Sequence, residues 1–240
     1  VARLRDGHVM LDWVPADGDA SPAPRRLQIA EMAASLAAKK GVSLRYDRRL
    51  LDEISGLVEW PNPLYGEIEE RFMGLPDEVL EASIRTHQKY LTTSDAATGD
   101  LARGFVLVSN RLTDGDRDAV ILAGNQRVLR ARLADAEFFW DEDRKTPLDA
   151  MLPRLADITF YEGLGSVHDK VMRMENLVAH IAPAIPHCDA EMAAHAAKLA
   201  KTDLVSGMVG EFPELQGIMG GHYARHHGVA AQVADAIEQH

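Results

Sequence analysis

The period of the apolar residues changes part-way along this 240-residue chain, and that change limits the fold more than any other feature. Between about residues 61 and 110 the apolar runs are short and edged by Gly and Pro. PLYGEIEERFMGLP reads as strand and turn, and KYLTT and GFVLVSN read as a strand pair joined by SDAATGDLAR. PDEVLEASIRTHQKY, before that pair, opens with Pro at a helix start and acids in the first turn, which suits the helix dipole. Two helices are expected earlier. One has Leu27, Ala30, Ala34 and Ala38 on its apolar side and Gly41 just past its end. The other is capped by Asp47, lines up Leu50, Leu51, Ile54, Leu57 and Val58, and stops before Pro61 and Pro63. From about Asp118 onward no strand is expected. AVILAGNQRVLRARLADAEFFWDED predicts a long helix with a break at Gly124, and four further helical segments follow the punctuation at Thr146 and Pro147. The fold class predicted is α+β: a mixed domain over 1–146, interrupted by a Pro/Ala/Asp-rich loop insertion over 14–25, then an all-helical domain over 147–240.

The length suffices for one large domain or two small ones. No window approaches eighteen consecutive apolar residues, so a membrane partner is not expected. VARLRDGHVMLDW has neither an initiator Met nor an apolar signal core, and is expected to lie inside a longer chain. A lone cysteine, Cys188, excludes an internal disulfide framework and fits a reducing cytoplasm. The formal net charge of −11 argues against a DNA-binding module, although a local basic strip could still neutralise phosphates.

Histidine is frequent in the second half, and His168-Asp169 is an HD dipeptide. Imidazole with carboxylate suits a divalent-metal phosphohydrolase. Adjacent residues point about 100° apart on a helix, however, so such a site needs ligands from several helices. In the helix that could supply the central pair, AAKLAKTDLVSGMV, Lys201 and Thr202 stand where His and Asp would be wanted. A charged ammonium offers a metal no lone pair. No metal ligand is therefore assigned. Ser166, just before the dipeptide, reads as helix-cap chemistry. No GxSxG is present. GMVGEFPELQGIMGG lacks the Lys-Ser/Thr and the preceding strand of a phosphate loop. No catalytic residue is assigned.

A basic constellation remains. Arg127, Arg130 and Arg132, then Arg144 and Lys145, lie along the long helix and its end. Lys170 and Arg173 lie on the next major helix, and Lys89 precedes Tyr90, a candidate stacking ring. The residues assigned to RNA contact are Lys89, Arg127, Arg130, Lys145, Lys170 and Arg173. All but Lys89 are expected to share one face about the domain junction. Interleaved acids, Asp135, Glu137, Asp141, Glu142 and Asp143, also permit the plainer reading of a solvated, salt-bridged surface.

Taken together, VEWPNPLYGEIEERFMGLPDEVLEASIRTHQKY, VLRARLADAEFFWDEDRK, LADITFYEGLGSVHDKVMRM and DLVSGMVGEFPELQGIMG resemble the β subunit of bacterial two-subunit glycyl-tRNA synthetases, in the same order, from about residue 27 to residue 240. The resemblance implies a region similar to the B3/B4 module of phenylalanyl-tRNA synthetase, then an HD-like helical domain that has lost the hydrolase ligands, as at Lys201 and Thr202. It implies an α2β2 assembly with the α subunit and the tRNA for glycine as partners. ATP and magnesium would serve a catalytic site on α, with no cofactor in this stretch. The alternatives are an HD-type metal-dependent phosphohydrolase and a purely structural spacer.

Overall fold

A computed structural model describes the backbone of residues 2–5, 8–11, 23–112 and 115–240, and the side chains of 24–112 and 115–240. The elements run β1 (Ala2–Arg5), β2 (His8–Leu11), α1 (Ala23–Ala38), β3 (Val42–Leu44), α2 (Arg48–Leu57), β4 (Pro61–Glu67), α3 (Asp77–Glu81), β5 (Leu91–Asp95), β6 (Leu101–Asn110) and α4 (Gly115–Asp143). They continue with α5 (Leu148–Met151), β7 (Thr159–Tyr161), β8 (Gly165–Ser166), α6 (Val167–Ile181), α7 (Ala190–Leu199), α8 (Gly207–Glu211), α9 (Ile218–His226) and α10 (Ala231–Gln239). The fold is mixed α and β, and two compact units divide it: residues 1–70 with 84–130, and residues 71–83 with 131–240.

In the first unit a four-stranded antiparallel sheet has the order β3-β5-β6-β4. Ile29 and Ala33 of α1 and Leu51 and Ile54 of α2 pack on Leu91 and Val106 of the sheet. Asp47 caps α2, its Oδ1 accepting from the Leu50 amide at 3.1 Å. Phe105, one residue before Val106, points to the opposite face. There its ring lies so close to Gly66 that a Cβ would come within 2.5 Å of it. Asn62 of β4 donates to Asp118 of α4 at 2.9 Å in a buried polar pair.

Several expectations change here. Residues 14–22 of the expected loop lie outside the described residues, and the rest of that segment opens α1, with Pro24 in its first turn where a missing N–H costs nothing. The buried side of α1 is Ile29, Ala33 and Ala37, whereas Leu27 is 53% exposed and Ala34 and Ala38 face water. An Ala-rich helix is apolar nearly all round, so spacing alone does not fix its inner stripe. Leu57 is likewise exposed, while its neighbour Val58 is buried. Gly124 makes no break in α4, which is continuous from Gly115.

The second unit is helical with one exception: β7 and β8 form a short antiparallel hairpin where no strand was expected. Three apolar residues in a seven-residue stretch, edged by Gly163 and Gly165, were too short a signal to stand out from helical neighbours. Leu155, Val167 and Val171 make a small core with Leu152, Ile158, Leu204 and Val205. Met208, Phe212, Met219, Tyr223, Val233 and Ile237 are buried further along. The glycines of GIMGG serve this packing. Gly217 takes φ 83° to open α9, and a Cβ on Gly220 would come within 2.8 Å of Ile237 Cγ2 of α10.

Candidate nucleic-acid interface

The residues assigned to RNA contact fall into two groups, one in each unit. In the first unit, Arg127 and Arg130 are exposed and three residues apart on α4, hence on neighbouring positions of one helix face. Arg130 Nε pairs with Glu69 at 2.5 Å, while Arg127 has no ion-pair partner among the described residues. Lys89 has φ 59° and its ammonium is 3.0 Å from Glu53. Tyr90 is not a surface stacking ring. It is 7% exposed and stacked on Phe105 with centroids 5.2 Å apart, and its hydroxyl donates to Asn125 at 2.6 Å. Its place at a helix-to-strand edge gave no hint that the ring turns inward.

In the second unit Lys145 closes an ion pair with Glu142 one helical turn back, leaving a neutralised, exposed charge. Lys170 and Arg173 stand three residues apart on α6, and both are tied to the β7–β8 hairpin. The Lys170 ammonium lies 4.4 Å from the centroid of the Phe160 ring, and Arg173 donates to the Leu164 carbonyl at 3.1 Å. Tyr161, at the end of β7, is 66% exposed. Lys201 belongs to the same locality: burial lowers its pKa, and the neighbouring Lys170 charge lowers it further. Two cations, a third nearby and an exposed aromatic ring thus share one hairpin and one helix. Sequence reasoning missed Phe160, Tyr161 and Lys201, because the hairpin went unread and Lys201 was considered only as a failed metal position.

Asp169 of the HD dipeptide is engaged in a helix cap. Ser166 caps α6 by accepting from the Asp169 amide at 3.1 Å, and Asp169 Oδ2 accepts from the Ser166 amide at 2.8 Å, a reciprocal capping box. Those contacts from Ser166 hold the Asp169 carboxyl below its ordinary pKa. Thr202 is buried and donates to the Leu199 carbonyl at 2.7 Å. Asp203 is also buried. Its Oδ2 accepts from the amides of Gly217 at 2.5 Å and Gly220 at 3.1 Å, and burial still raises its pKa against those two bonds. Among the described residues no group of three or more His, Cys, Asp or Glu side chains is arranged to hold a metal ion.

No helix among the described residues is long and apolar enough to cross a membrane. Residues 19–240 match the family described as glycyl-tRNA synthetase beta subunit. The chain is 47% identical to the glycine–tRNA ligase beta subunit of Phenylobacterium zucineum over 219 residues, which are 90% of this chain and 32% of that protein. It is 47% identical to that of Rhodospirillum centenum over 241 residues, the whole of this chain and 32% of that protein. The Paracoccus denitrificans protein of the same name is 46% identical over 242 residues, again the whole chain and 34% of the relative. The chain therefore spans about a third of the length of these relatives. With a match that runs from residue 19 to residue 240, the chain belongs to the glycyl-tRNA synthetase beta subunit family.

Proposed function

We propose that this stretch is a tRNA-contacting and architectural part of a glycine–tRNA ligase β subunit. In this reading it works within a cytoplasmic α2β2 enzyme whose α subunit joins glycine to its tRNA with ATP and magnesium. The first unit corresponds to a B3/B4-like region and the second to an HD-like domain without the hydrolase ligands. No chemical step takes place on this stretch, and it holds no cofactor of its own.

The observation that carries the RNA reading is the hairpin–helix cluster of the second unit. Lys170 and Arg173 contact an aromatic ring and a carbonyl and close no carboxylate ion pair; Asp169, one turn before Arg173, offsets part of its charge, and the rest is available to phosphate. Tyr161 beside them offers a face on which an unpaired base can stack. A purely structural spacer has no need of cations without an ion-pair partner beside an exposed ring. The contacts of Asp169 and Asp203 do not favour the phosphohydrolase alternative: the Oδ2 atom of each accepts from cap or turn amides, and neither belongs to a group of three His, Cys, Asp or Glu side chains arranged to hold a metal ion among the described residues.

Titration of the 240-residue chain with the tRNA for glycine, at about 50 and about 200 mM salt, tests this. Weak binding that falls with salt is expected, with Tyr161→Ala weakening it at both salt levels without altering the slope. Binding that is absent, or insensitive to both salt and Tyr161→Ala, would favour the spacer.

A further inference from the structure

In the first unit an indentation of about 310 Å³ opens between α2, β6, α4 and the segment that follows α3. Its walls are aliphatic: Ile54 and Val58 from α2 and its end, Leu107 and Val108 from β6, and Ile121 from α4. At its rim Leu57 is 63% exposed, a large apolar side chain turned to water beside an apolar hollow.

Polar side chains also line it: Gln88, Lys89, Tyr90, Ser109 and Asn125. Ser109 Oγ is buried and has no hydrogen-bond partner among the described residues. Such groups are uncommon, because a buried unpaired hydroxyl forfeits its bonds to water. The Gln88 carboxamide has only a long contact, its Oε1 lying 3.3 Å from the Tyr90 hydroxyl, and that hydroxyl has already given its proton to Asn125 at 2.6 Å. Burial raises the pKa of Tyr90 and keeps it a neutral donor. Lys89 reaches the rim; one of its three N–H groups is directed to Glu53, leaving two for another acceptor.

The backbone here is irregular in a way the sheet does not require. α3 continues into a π-helical turn over Ala82–His87, and Lys89 then takes a left-handed φ of 59°. π-helical turns and left-handed non-glycine residues gather where side chains must be aimed for function, since each costs stability. Here the irregular segment delivers Gln88, Lys89 and Tyr90 in succession to one hollow.

We infer that this hollow receives an unpaired base of bound RNA, with Ser109 Oγ and the Gln88 carboxamide reading its polar edge between the aliphatic walls. The inference rests on the RNA-binding reading above and deepens it. Aliphatic walls with a few donors and acceptors among them match a nucleobase, which is apolar on its faces and polar only on its rim. The two remaining Lys89 N–H groups could donate to an adjoining phosphate. Glu53 keeps that contact weak, so the base rather than the backbone supplies selectivity.

The test uses the full-length subunit assembled with its partner, the tRNA for glycine, and a base-paired RNA duplex without unpaired nucleotides. Gln88→Leu and Ser109→Ala should each raise the Kd for tRNA about fivefold to tenfold with the salt slope unchanged, and leave duplex binding unaltered. Ser109→Ala removes a hydroxyl that bonds nothing, so its thermal midpoint should not fall, which separates a lost contact from a lost fold. Photocrosslinking with 4-thiouridine-substituted tRNA should label peptides containing residues 88–90 or 107–109. Unchanged tRNA affinity in both variants, or crosslinks confined to other segments, overturns the inference. If adenosine monophosphate alone saturates the hollow, and these two substitutions abolish its binding while sparing tRNA, the occupant is a free nucleotide and the RNA assignment is overturned. If the pocket variants bind as wild type while charge reversal at Arg127 and Arg173 still weakens tRNA, the pocket fails alone. If the charge reversal also has no effect, the RNA reading fails with it.

Discussion

Removing the Asp143 carboxylate should unfold the second unit more readily than any surface substitution near it. Asp143 ends α4, and its two oxygens accept from the amides of Gly207 and Met208, each at 2.8 Å, and from the Tyr223 hydroxyl at 2.9 Å. It thereby supplies acceptors for the otherwise orphaned first amides of α8 and holds the ring of α9 against Trp140, with centroids 5.7 Å apart. A hydrogen bond to a charged group contributes about 1.5–3 kcal/mol. Three independent bonds would sum to roughly 5–9 kcal/mol. They share one half-buried carboxylate that water can partly replace, so Asp143→Ala is expected to cost about 3–5 kcal/mol. Tyr223→Phe leaves the two amide bonds in place and should cost about 1–2 kcal/mol. Urea unfolding gives the totals, and amide hydrogen exchange gives the mechanism: protection at Gly207 and Met208 should collapse in Asp143→Ala and survive in Tyr223→Phe. A loss under about 1 kcal/mol in Asp143→Ala, with Gly207 still protected, would refute this account of how α4 anchors α8.

Two further outcomes concern the same unit. Burial raises the Asp203 pKa, so the folded state binds its proton more tightly than the unfolded chain does, and stability falls as pH rises through that raised pKa. Asp203→Asn keeps an acceptor for Gly217 and Gly220 and should flatten this part of the pH–stability curve above the ordinary carboxylate range; an unchanged slope would contradict the assignment. Gly220→Ala forces a Cβ within 2.8 Å of Ile237 Cγ2 and should cost about 1–3 kcal/mol by overpacking, read as a lowered thermal midpoint.

Much of this fold was legible because local signals agreed with tertiary ones. Asp47 at a cap position, Leu50, Leu51 and Ile54 on one side of a helix, and the GFVLVSN strand all appear where spacing and caps put them. The failures have physical causes. Ala-rich α1 presents no distinct stripe, so its inner face was misassigned. Gly124 costs α4 too little to interrupt a 29-residue helix. β7 of the β7–β8 hairpin is exposed at all three residues, so it shows none of the buried alternation by which a strand is read. The candidate interface was half visible. Charged residue types at helical spacing picked out Lys170 and Arg173, but nothing in the sequence distinguished them from Lys145 or Arg130, whose charges are met by Glu142 and Glu69. The pairing of a charge depends on which carboxylate the fold brings to it.

The central claim is that this chain meets tRNA through basic residues not already neutralised by carboxylates. Arg127 and Arg173 are the choice for reversal, because neither has a carboxylate ion pair among the described residues, whereas Arg130 does. The deciding measurement is the tRNA KM of the assembled glycine–tRNA ligase carrying Arg127→Glu and Arg173→Glu together, taken across a salt series. The account predicts a raised KM with little change in kcat, and a salt slope lower by about two, one for each phosphate contact removed. A KM and a salt dependence that both match the unaltered enzyme would contradict it.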